Sequence, residues 1–129
     1  MSVQLTEKEL FLASRIVNAS YIVHKELGPG LLEKIYERCM FHVLTKEGIL
    51  VSRQTCIAIN FQGITFDEGI YLDLFVEQTV IVEIKAVETV NPVWQAQVLS
   101  QLKMTGVHVG FLINFNVPII KQGIRRYVL

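Results

Sequence analysis

Two apolar stretches in the middle of the chain decide its fold: IYLDLFV at residues 70–76 and VIVEIKAV at residues 80–87. Both stretches are rich in β-branched and aromatic residues, and they flank the polar tripeptide EQT at residues 77–79. Residues of these types favour strands, and two such stretches joined by a short polar segment are typical of a β-hairpin. The sequence therefore predicts an antiparallel hairpin with a three-residue loop.

The register of this hairpin places charged side chains against each other. If Val76 pairs with Val80, the paired numbers sum to 156 and Asp73 lies directly opposite Glu83. Glu83 and Lys85 are two residues apart, so they share one face of the strand. Directly opposed like charges destabilise a sheet, so the two carboxylates need a counter-charge. A divalent metal ion with Lys85 beside it would supply that charge. The apolar neighbours predicted to fill the opposite face, against a helix, are Leu72, Leu74, Val82 and Ile84.

Length and composition are those of a compact globular chain. At 129 residues the sequence predicts one domain, residues 1–129, and 51% of its residues are hydrophobic while 19% are charged. No apolar stretch approaches the roughly 20 residues of a membrane span, and residues 1–7 lack the features of a secretory signal. We therefore expect a cytoplasmic protein without a membrane partner, in which Cys39 and Cys56 are reduced and partly buried.

The twelve basic and twelve acidic residues balance. A protein that coats nucleic acid non-specifically usually has a clear basic excess, so the balance argues against that class. It does not exclude a nuclease, because a bound metal would neutralise several of the acids. A local basic cluster remains in a short C-terminal tail, at Lys121, Arg125 and Arg126.

Helix signals lie on both sides of the strands. Thr6 and Glu9 form a potential capping box for a helix that runs to about Glu26, and the turn Gly28–Gly30 ends it. A second helix is predicted from near Leu31 to about residue 47, and a third, opened by Asn91 and Pro92, to about residue 104. The predicted buried residues of the second helix are Leu31, Leu32, Ile35, Cys39 and Val43, with Leu44 as a further candidate, and those of the third are Val93, Ala96, Leu99 and Leu102.

Further strands are predicted at residues 55–61, 64–66 and 107–113. The last of these follows the third helix, and a strand–helix–strand unit makes its two strands parallel. The element order is thus α-α-β-β-β-α-β followed by a tail, which predicts the α/β class with a mixed β-sheet flanked by helices.

Several sequence blocks resemble a known family. The segment GLLEKIY at residues 30–36 fits the pattern Gly-x-x-Glu-x-x-Tyr, and Asp73 followed by Glu83-x-Lys85 fits the Asp…Glu-x-Lys pattern of a nuclease core. Together these blocks resemble the GxxExxY family of the PD-(D/E)XK nuclease superfamily, and the likeness spans residues 10–127. The resemblance implies a restriction-endonuclease-like core.

The resemblance also implies a role for each site residue. Asp73 and Glu83 would hold one Mg²⁺ ion, with Mn²⁺ as the alternative, and the backbone carbonyl of Ile84 would complete the site. Lys85 would orient the attacking water and stabilise the charge of the transition state. Glu33, on the second helix, resembles the additional acidic residue that many members bring to the metal.

One further residue matches only part of a family motif. Gln97 resembles a glutamine of the exonuclease-like branch, where a tyrosine follows four residues later, but this chain has Gln101 at that position. The whole resemblance implies a metal-dependent phosphodiesterase that acts on DNA, and enzymes of this size and fold often form homodimers. Two alternatives stay open: a non-catalytic interaction or nucleic-acid-binding module with the same fold, and a nuclease that acts on RNA or on a small nucleotide derivative.

Overall fold

The computed structural model describes residues 4–129 and contains three helices and five strands within them. The prediction of an α/β fold is confirmed, as is the order of the first seven elements. In chain order the elements are α1 (Glu7–Leu27), α2 (Glu33–Lys46), β1 (Val51–Phe61), β2 (Ile64–Val76), β3 (Val80–Lys85), α3 (Val93–Thr105), β4 (Val109–Asn114), a 3₁₀ turn (Ile120–Gly123) and β5 (Ile124–Val128).

The helix ends follow from local hydrogen bonds. Thr6 and Glu9 form the predicted capping box, in which each side chain accepts a hydrogen bond from the backbone N–H of the other residue. At the start of α3, Asn91 Oδ1 accepts a hydrogen bond from the N–H of Val93. Gly106 ends that helix with φ +73°, a left-handed conformation that glycine adopts without steric cost. These signals were local, so the sequence was sufficient to locate them.

The five strands form one mixed sheet in the order β1-β2-β3-β4-β5. Strands β1, β2 and β3 are antiparallel neighbours, β3 and β4 are parallel and joined through α3, and β5 is antiparallel to β4. The hairpin register is confirmed, since Val76 pairs with Val80 and Leu74 with Val82. Counted from the loop, Leu74 with Val82 is the last pair of the ladder between β2 and β3. Asp73, the next residue away from the loop, lies outside the ladder.

The prediction of a short C-terminal tail is wrong. Residues 124–128 form β5, which pairs along β4 and gives that strand a neighbour on each side. Strand alternation then separates the two arginines: Arg126 lines a groove beside α1, whereas Arg125 lines a different cavity beside the start of α3. The basic cluster expected in a tail is therefore divided between the two faces of the sheet.

Helices cover both faces of the sheet. On one face α1 and α2 pack on the larger hydrophobic cluster, and on the other α3 packs on a smaller one that includes Leu102, Leu72 and Ile81. The larger cluster includes Leu12, Ile16, Val23, Tyr36, Met40, Leu44, Leu74, Val76, Val80, Val82, Ile84, Phe111, Ile113 and Phe115. None of the helices within the described residues combines the length and apolarity that crossing a bilayer requires.

The predicted buried faces of the second and third helices are partly wrong. Helix α2 begins at Glu33, so Leu31 and Leu32 precede it and are exposed. The helix does bury the further candidate Leu44, but together with Tyr36, Glu37 and Met40. Helix α3 buries Val98, Gln101 and Leu102, while Val93 is exposed. The apolar residues before α2 shifted the predicted phase of the helix, because a periodic pattern alone does not locate its first residue.

The two cysteines are free thiols, and only one is partly buried. Cys39 of α2 is half-buried, but Cys56 is exposed on β1, which lies at the edge of the sheet. The prediction that both are partly buried is wrong for Cys56.

One irregularity interrupts the long hairpin of β1 and β2. Arg53 pairs with Leu74 and Thr55 with Leu72, but the intervening residues Gln54 and Asp73 do not form a ladder pair. Across this point the side chains change faces: Leu74 packs toward α1 and α2, whereas Leu72 packs in the cluster of α3. The prediction that Leu72 shares a face with Leu74 is therefore wrong, because the regular alternation of a strand stops at Asp73.

Candidate active site

Asp73 and Glu83 lie together at the point where the ladder between β2 and β3 ends. Asp73 Oδ2 accepts a hydrogen bond of 2.8 Å from the N–H of Ile84, and Glu83 Oε1 accepts one of 3.3 Å from the N–H of Asp73. These bonds hold each carboxylate against the backbone of the other strand. The ladder pair of Asp73 with Glu83 that the register predicted does not form, since the ladder stops at Leu74 and Val82.

The surroundings of Glu83 disfavour its ionised form. Its side chain is buried, with 9% of the residue exposed. Burial, and then the like charge of Asp73, raise the pKa of Glu83 to about 8, and only the nearby Lys85 among the charged groups acts in the opposite direction. Glu83 therefore binds a proton more readily than an ordinary glutamate does.

Glu33 approaches the pair from the first turn of α2. Its side chain is exposed overall, yet partial desolvation raises its pKa, and the charges of Asp73 and Glu37 raise it further against the opposing effect of Lys85. Glu33 therefore lies within electrostatic reach of Asp73 and Lys85. Within residues 4–129, no three His, Cys, Asp or Glu side chains form a ready-made metal-binding group, so Glu33 is near the acidic pair without completing it.

Tyr36 fixes the loop that leads into α2. The tyrosine is fully buried, and its hydroxyl donates a hydrogen bond of 2.6 Å to the carbonyl of Gly28 and accepts one of 3.1 Å from the N–H of Leu31. Its ring stacks on that of Phe115 with centroids 4.6 Å apart. Tyr36 thus joins the glycine–proline turn to the core, and this turn sets where the first turn of α2, with Glu33, begins.

Lys85 extends from the end of β3 toward the start of α3. Its ammonium group lies 4.4 Å from the centre of the Trp94 ring, a cation–π contact. It is also close enough to Glu33 and Glu83 to lower the pKa of each carboxyl. Lys85 therefore lies between the aromatic ring and the acids, with its charge directed at the site.

A cavity of about 450 Å³ opens between β2 and α3, with Glu83 in its lining. The predicted site residue Gln97 lines the same cavity, as does Tyr71, which is exposed. Gln101 lines it too and is buried, and its Oε1 has no hydrogen-bond partner among the described residues. The structure thus brings Gln97 to the side of the cavity that contains Glu83.

The oxygen-rich set of side chains fits a hard divalent cation. Asp73 and Glu83 offer carboxylate oxygens, which Mg²⁺ and Mn²⁺ prefer over nitrogen or sulfur, and burial, followed by the charge of Asp73, raises the pKa of Glu83. Ile84, whose N–H is bonded to Asp73, adjoins this pair along the chain. The residues present therefore fit the group that the resemblance implied.

Two polar residues at the site have only weak sequence signals. Glu37 lies one helical turn after Glu33 and is buried, and Gln54 of β1 contacts both Glu37 and Asp73. The spacing of Glu33, Tyr36 and Glu37 places all three on one side of α2, which was the available signal for Glu37. No pattern in the sequence distinguishes Gln54.

Comparison with known proteins gives one match. A family model described as the PD-(D/E)XK nuclease superfamily matches residues 11–127. No curated protein matches the chain at a significant level. No solved structure does so either. A mixed five-stranded sheet flanked by helices is consistent with the restriction-endonuclease-like fold of that superfamily.

Replacing Tyr36 by phenylalanine tests the anchoring of the loop. We expect Tyr36→Phe to lower the free energy of unfolding by about 1–3 kcal/mol, because the backbone groups of Gly28 and Leu31 lose their partner. Chemical denaturation measures the change. The exposed Tyr21 of α1 supplies the matched control, and Tyr21→Phe should shift stability by less than about 0.5 kcal/mol. Equal effects of the two substitutions would contradict the anchoring role of Tyr36.

The pKa of Glu83 predicts how the stability of the metal-free protein depends on pH. Burial raises the pKa of Glu83 to about 8, so the folded chain keeps its proton up to about that pH, whereas the unfolded chain releases it near the ordinary glutamate pKa of 4.5. This contribution to stability is complete below pH 4.5 and is lost as pH rises through about 8. In Glu83→Gln the side chain stays neutral, so that decline should disappear.

Urea denaturation in the presence of EDTA, across this pH range, measures the profile. Glu88→Gln, at an exposed carboxylate of the loop before α3, should keep the wild-type profile. Parallel profiles for the wild type and Glu83→Gln would show that Glu83 titrates as an ordinary glutamate.

Proposed function

The chain belongs to the PD-(D/E)XK nuclease superfamily, and from that premise we propose that it is a metal-dependent phosphodiesterase that acts on DNA. The observation that carries the proposal is the pair of hydrogen bonds by which Asp73 and Glu83 each hold a backbone N–H of the other strand, with Lys85 two residues further along β3. We assign the chain to the GxxExxY family within the superfamily on the segment at residues 30–36.

Asp73, Glu83 and the carbonyl of Ile84 are the proposed ligands of a Mg²⁺ or Mn²⁺ ion, with Glu33 as an additional acidic residue from α2. When bound, such an ion polarises a phosphodiester and lowers the pKa of water. The contacts of Asp73 and Glu83 with backbone N–H groups support this assignment, since they hold both carboxylates in defined positions before any ligand binds.

Lys85 is the proposed catalytic cation. Its ammonium group would orient the attacking water and stabilise the negative charge that develops on the phosphoryl oxygens. Its contact with the Trp94 ring supports this role, because it limits the positions that a flexible lysine side chain can occupy near Glu83. Gln97 would donate a hydrogen bond from its amide to the substrate in the neighbouring cavity.

We further propose that residues 1–129 act as one nuclease-like domain, that the protein is cytoplasmic, and that it works as a homodimer whose two sites address two strands. The alternative is a non-catalytic interaction or nucleic-acid-binding module that keeps this fold. The absence of a three-residue metal-binding group within residues 4–129 is the observation that favours that alternative.

Metal binding separates the two functions. Asp73→Ala and Glu83→Ala should abolish the binding of Mn²⁺ measured by calorimetry, while the fold is kept or slightly stabilised because the repulsion between the carboxylates is relieved. Asp67→Ala, at an exposed carboxylate of β2, should bind like the wild type. Wild-type affinity in either site variant would rule out the assigned metal site, and a wild-type protein that binds no Mn²⁺ would favour the non-catalytic module.

Hydrolysis of a substrate panel tests the reaction and the role of Lys85. We expect the wild type to cleave at least one DNA among single-stranded, duplex and branched forms, with RNA in the panel as the competing substrate class. Lys85→Met should still bind Mn²⁺ but lose about 100-fold or more in kcat, because the lysine acts mainly in the transition state. Lys121→Met, at an exposed lysine of the 3₁₀ turn, is the control. Unchanged turnover in Lys85→Met would exclude Lys85 from the mechanism.

A further inference from the structure

Gln54, in the middle of β1, has a backbone conformation that strands do not use. Its φ is +49°, in the left-handed region that residues other than glycine, asparagine and aspartate rarely adopt. The other non-glycine residues with positive φ within residues 4–129 are Gln62, Glu77 and Gln78, and all three lie in the turns of hairpins. A strained residue inside a strand persists only where its surroundings hold it, and such residues cluster at functional sites.

The unusual conformation lets two consecutive side chains reach the same target. Neighbouring residues of a regular strand point to opposite faces of the sheet. Here Arg53 Nε lies 3.4 Å from Glu37 Oε1, and Gln54 Nε2 donates a hydrogen bond of 3.0 Å to Glu37 Oε2. The guanidinium group of Arg53 also lies 5.8 Å from the centre of the Phe41 ring. This part of β1 therefore contacts two residues of α2, Glu37 and Phe41.

The same amide nitrogen also contacts the candidate metal ligand. Gln54 Nε2 donates to Asp73 Oδ1 at 3.2 Å, while Asp73 Oδ2 is bonded to the N–H of Ile84. Both oxygens of Asp73 therefore have a donor, one from β1 and one from β3. A primary amide has two N–H groups, so it can donate to two carboxylates at once, which neither a carboxylate nor a hydrocarbon side chain can do.

We propose that Gln54 is a positioning residue that links the buried Glu37 to Asp73 and so fixes the rotamer of the Asp73 carboxylate. The consequence for metal affinity rests on the proposed function, but the effect on the rotamer does not. The left-handed backbone at Gln54 is the conformational cost of this link, since a regular strand would direct the amide away from Glu37.

Glycine and alanine at position 54 separate the effect of the amide hydrogen bonds from the effect of the strained backbone. Gln54→Gly removes the amide and relieves the backbone, whereas Gln54→Ala removes the amide and leaves the backbone strained. Gln62→Gly is the matched control, because Gln62 has the same φ of +49° in an exposed hairpin turn. Gln62→Gly should be at least as stable as the wild type, because it relieves the backbone without removing a hydrogen bond at the site.

The decisive readout is the side-chain rotamer of Asp73 in the metal-free protein, from three-bond NMR couplings about its Cα–Cβ bond. We expect one rotamer in the wild type and in Gln62→Gly, and rotamer averaging in both Gln54 variants. A single Asp73 rotamer in the Gln54 variants would overturn the proposal.

Mn²⁺ titration of the same four proteins measures the consequence for the site. Removal of groups that orient metal ligands typically costs about 10–100-fold in affinity, and we expect a loss of that size in both Gln54 variants but not in Gln62→Gly. Unchanged affinity in both Gln54 variants would overturn a positioning role at the metal. If the wild type binds no Mn²⁺, the proposed function fails, and the couplings alone still decide whether Gln54 positions Asp73.

Discussion

The contact between two acidic side chains in the sheet, Asp73 and Glu83, is the constraint on which the rest of the site depends. When both are ionised the two carboxylates repel each other, and burial of Glu83 removes the water that would screen them. The protein offsets part of this cost with backbone N–H groups from Asp73 and Ile84. A proton on Glu83 or the charge of Lys85 offsets the remainder, and the proposed cation would do the same.

The elements around the pair serve to keep it in place. The ladder between β2 and β3 ends at Leu74, and beyond it the two carboxylates accept hydrogen bonds from the backbone N–H groups of Asp73 and Ile84. On the side of α2, the buried hydroxyl of Tyr36 anchors the preceding loop and so fixes the start of the helix that carries Glu33 and Glu37. On the side of α3, Trp94 restrains Lys85. Each neighbour thus restricts one charged group, as expected of a site that is organised before it binds a ligand.

The sequence predicted those parts of the structure that depend on short-range patterns. The pairing of Val76 with Val80 followed from a three-residue loop between two apolar stretches, and the proximity of Asp73 and Glu83 followed from that pairing. The phase of α2 was not predictable in the same way, because the apolar pair Leu31 and Leu32 continues the helical pattern into a loop. Strand β5 was missed because its two adjacent arginines hide its alternation, and it forms only where β4 offers a free edge.

The role of Gln54 lay furthest beyond the reach of the sequence. Its partners Glu37 and Asp73 lie 17 and 19 residues away, and glutamine is not a residue whose type indicates a left-handed backbone. The break in alternation at Asp73 was missed for the same reason, since the stretch at residues 70–76 has the composition of an ordinary strand. Both features arise from contacts between elements, and both occur at the candidate site, where local rules are most often broken.

A crystal structure of the protein soaked with Mn²⁺, with anomalous diffraction recorded at the manganese edge, tests the central claim most directly. The account predicts an anomalous peak between the carboxylates of Asp73 and Glu83, with the carbonyl of Ile84 as a further ligand. A structure in which the peak is absent from this position, or in which the two carboxylates point to opposite faces of the sheet, would contradict it.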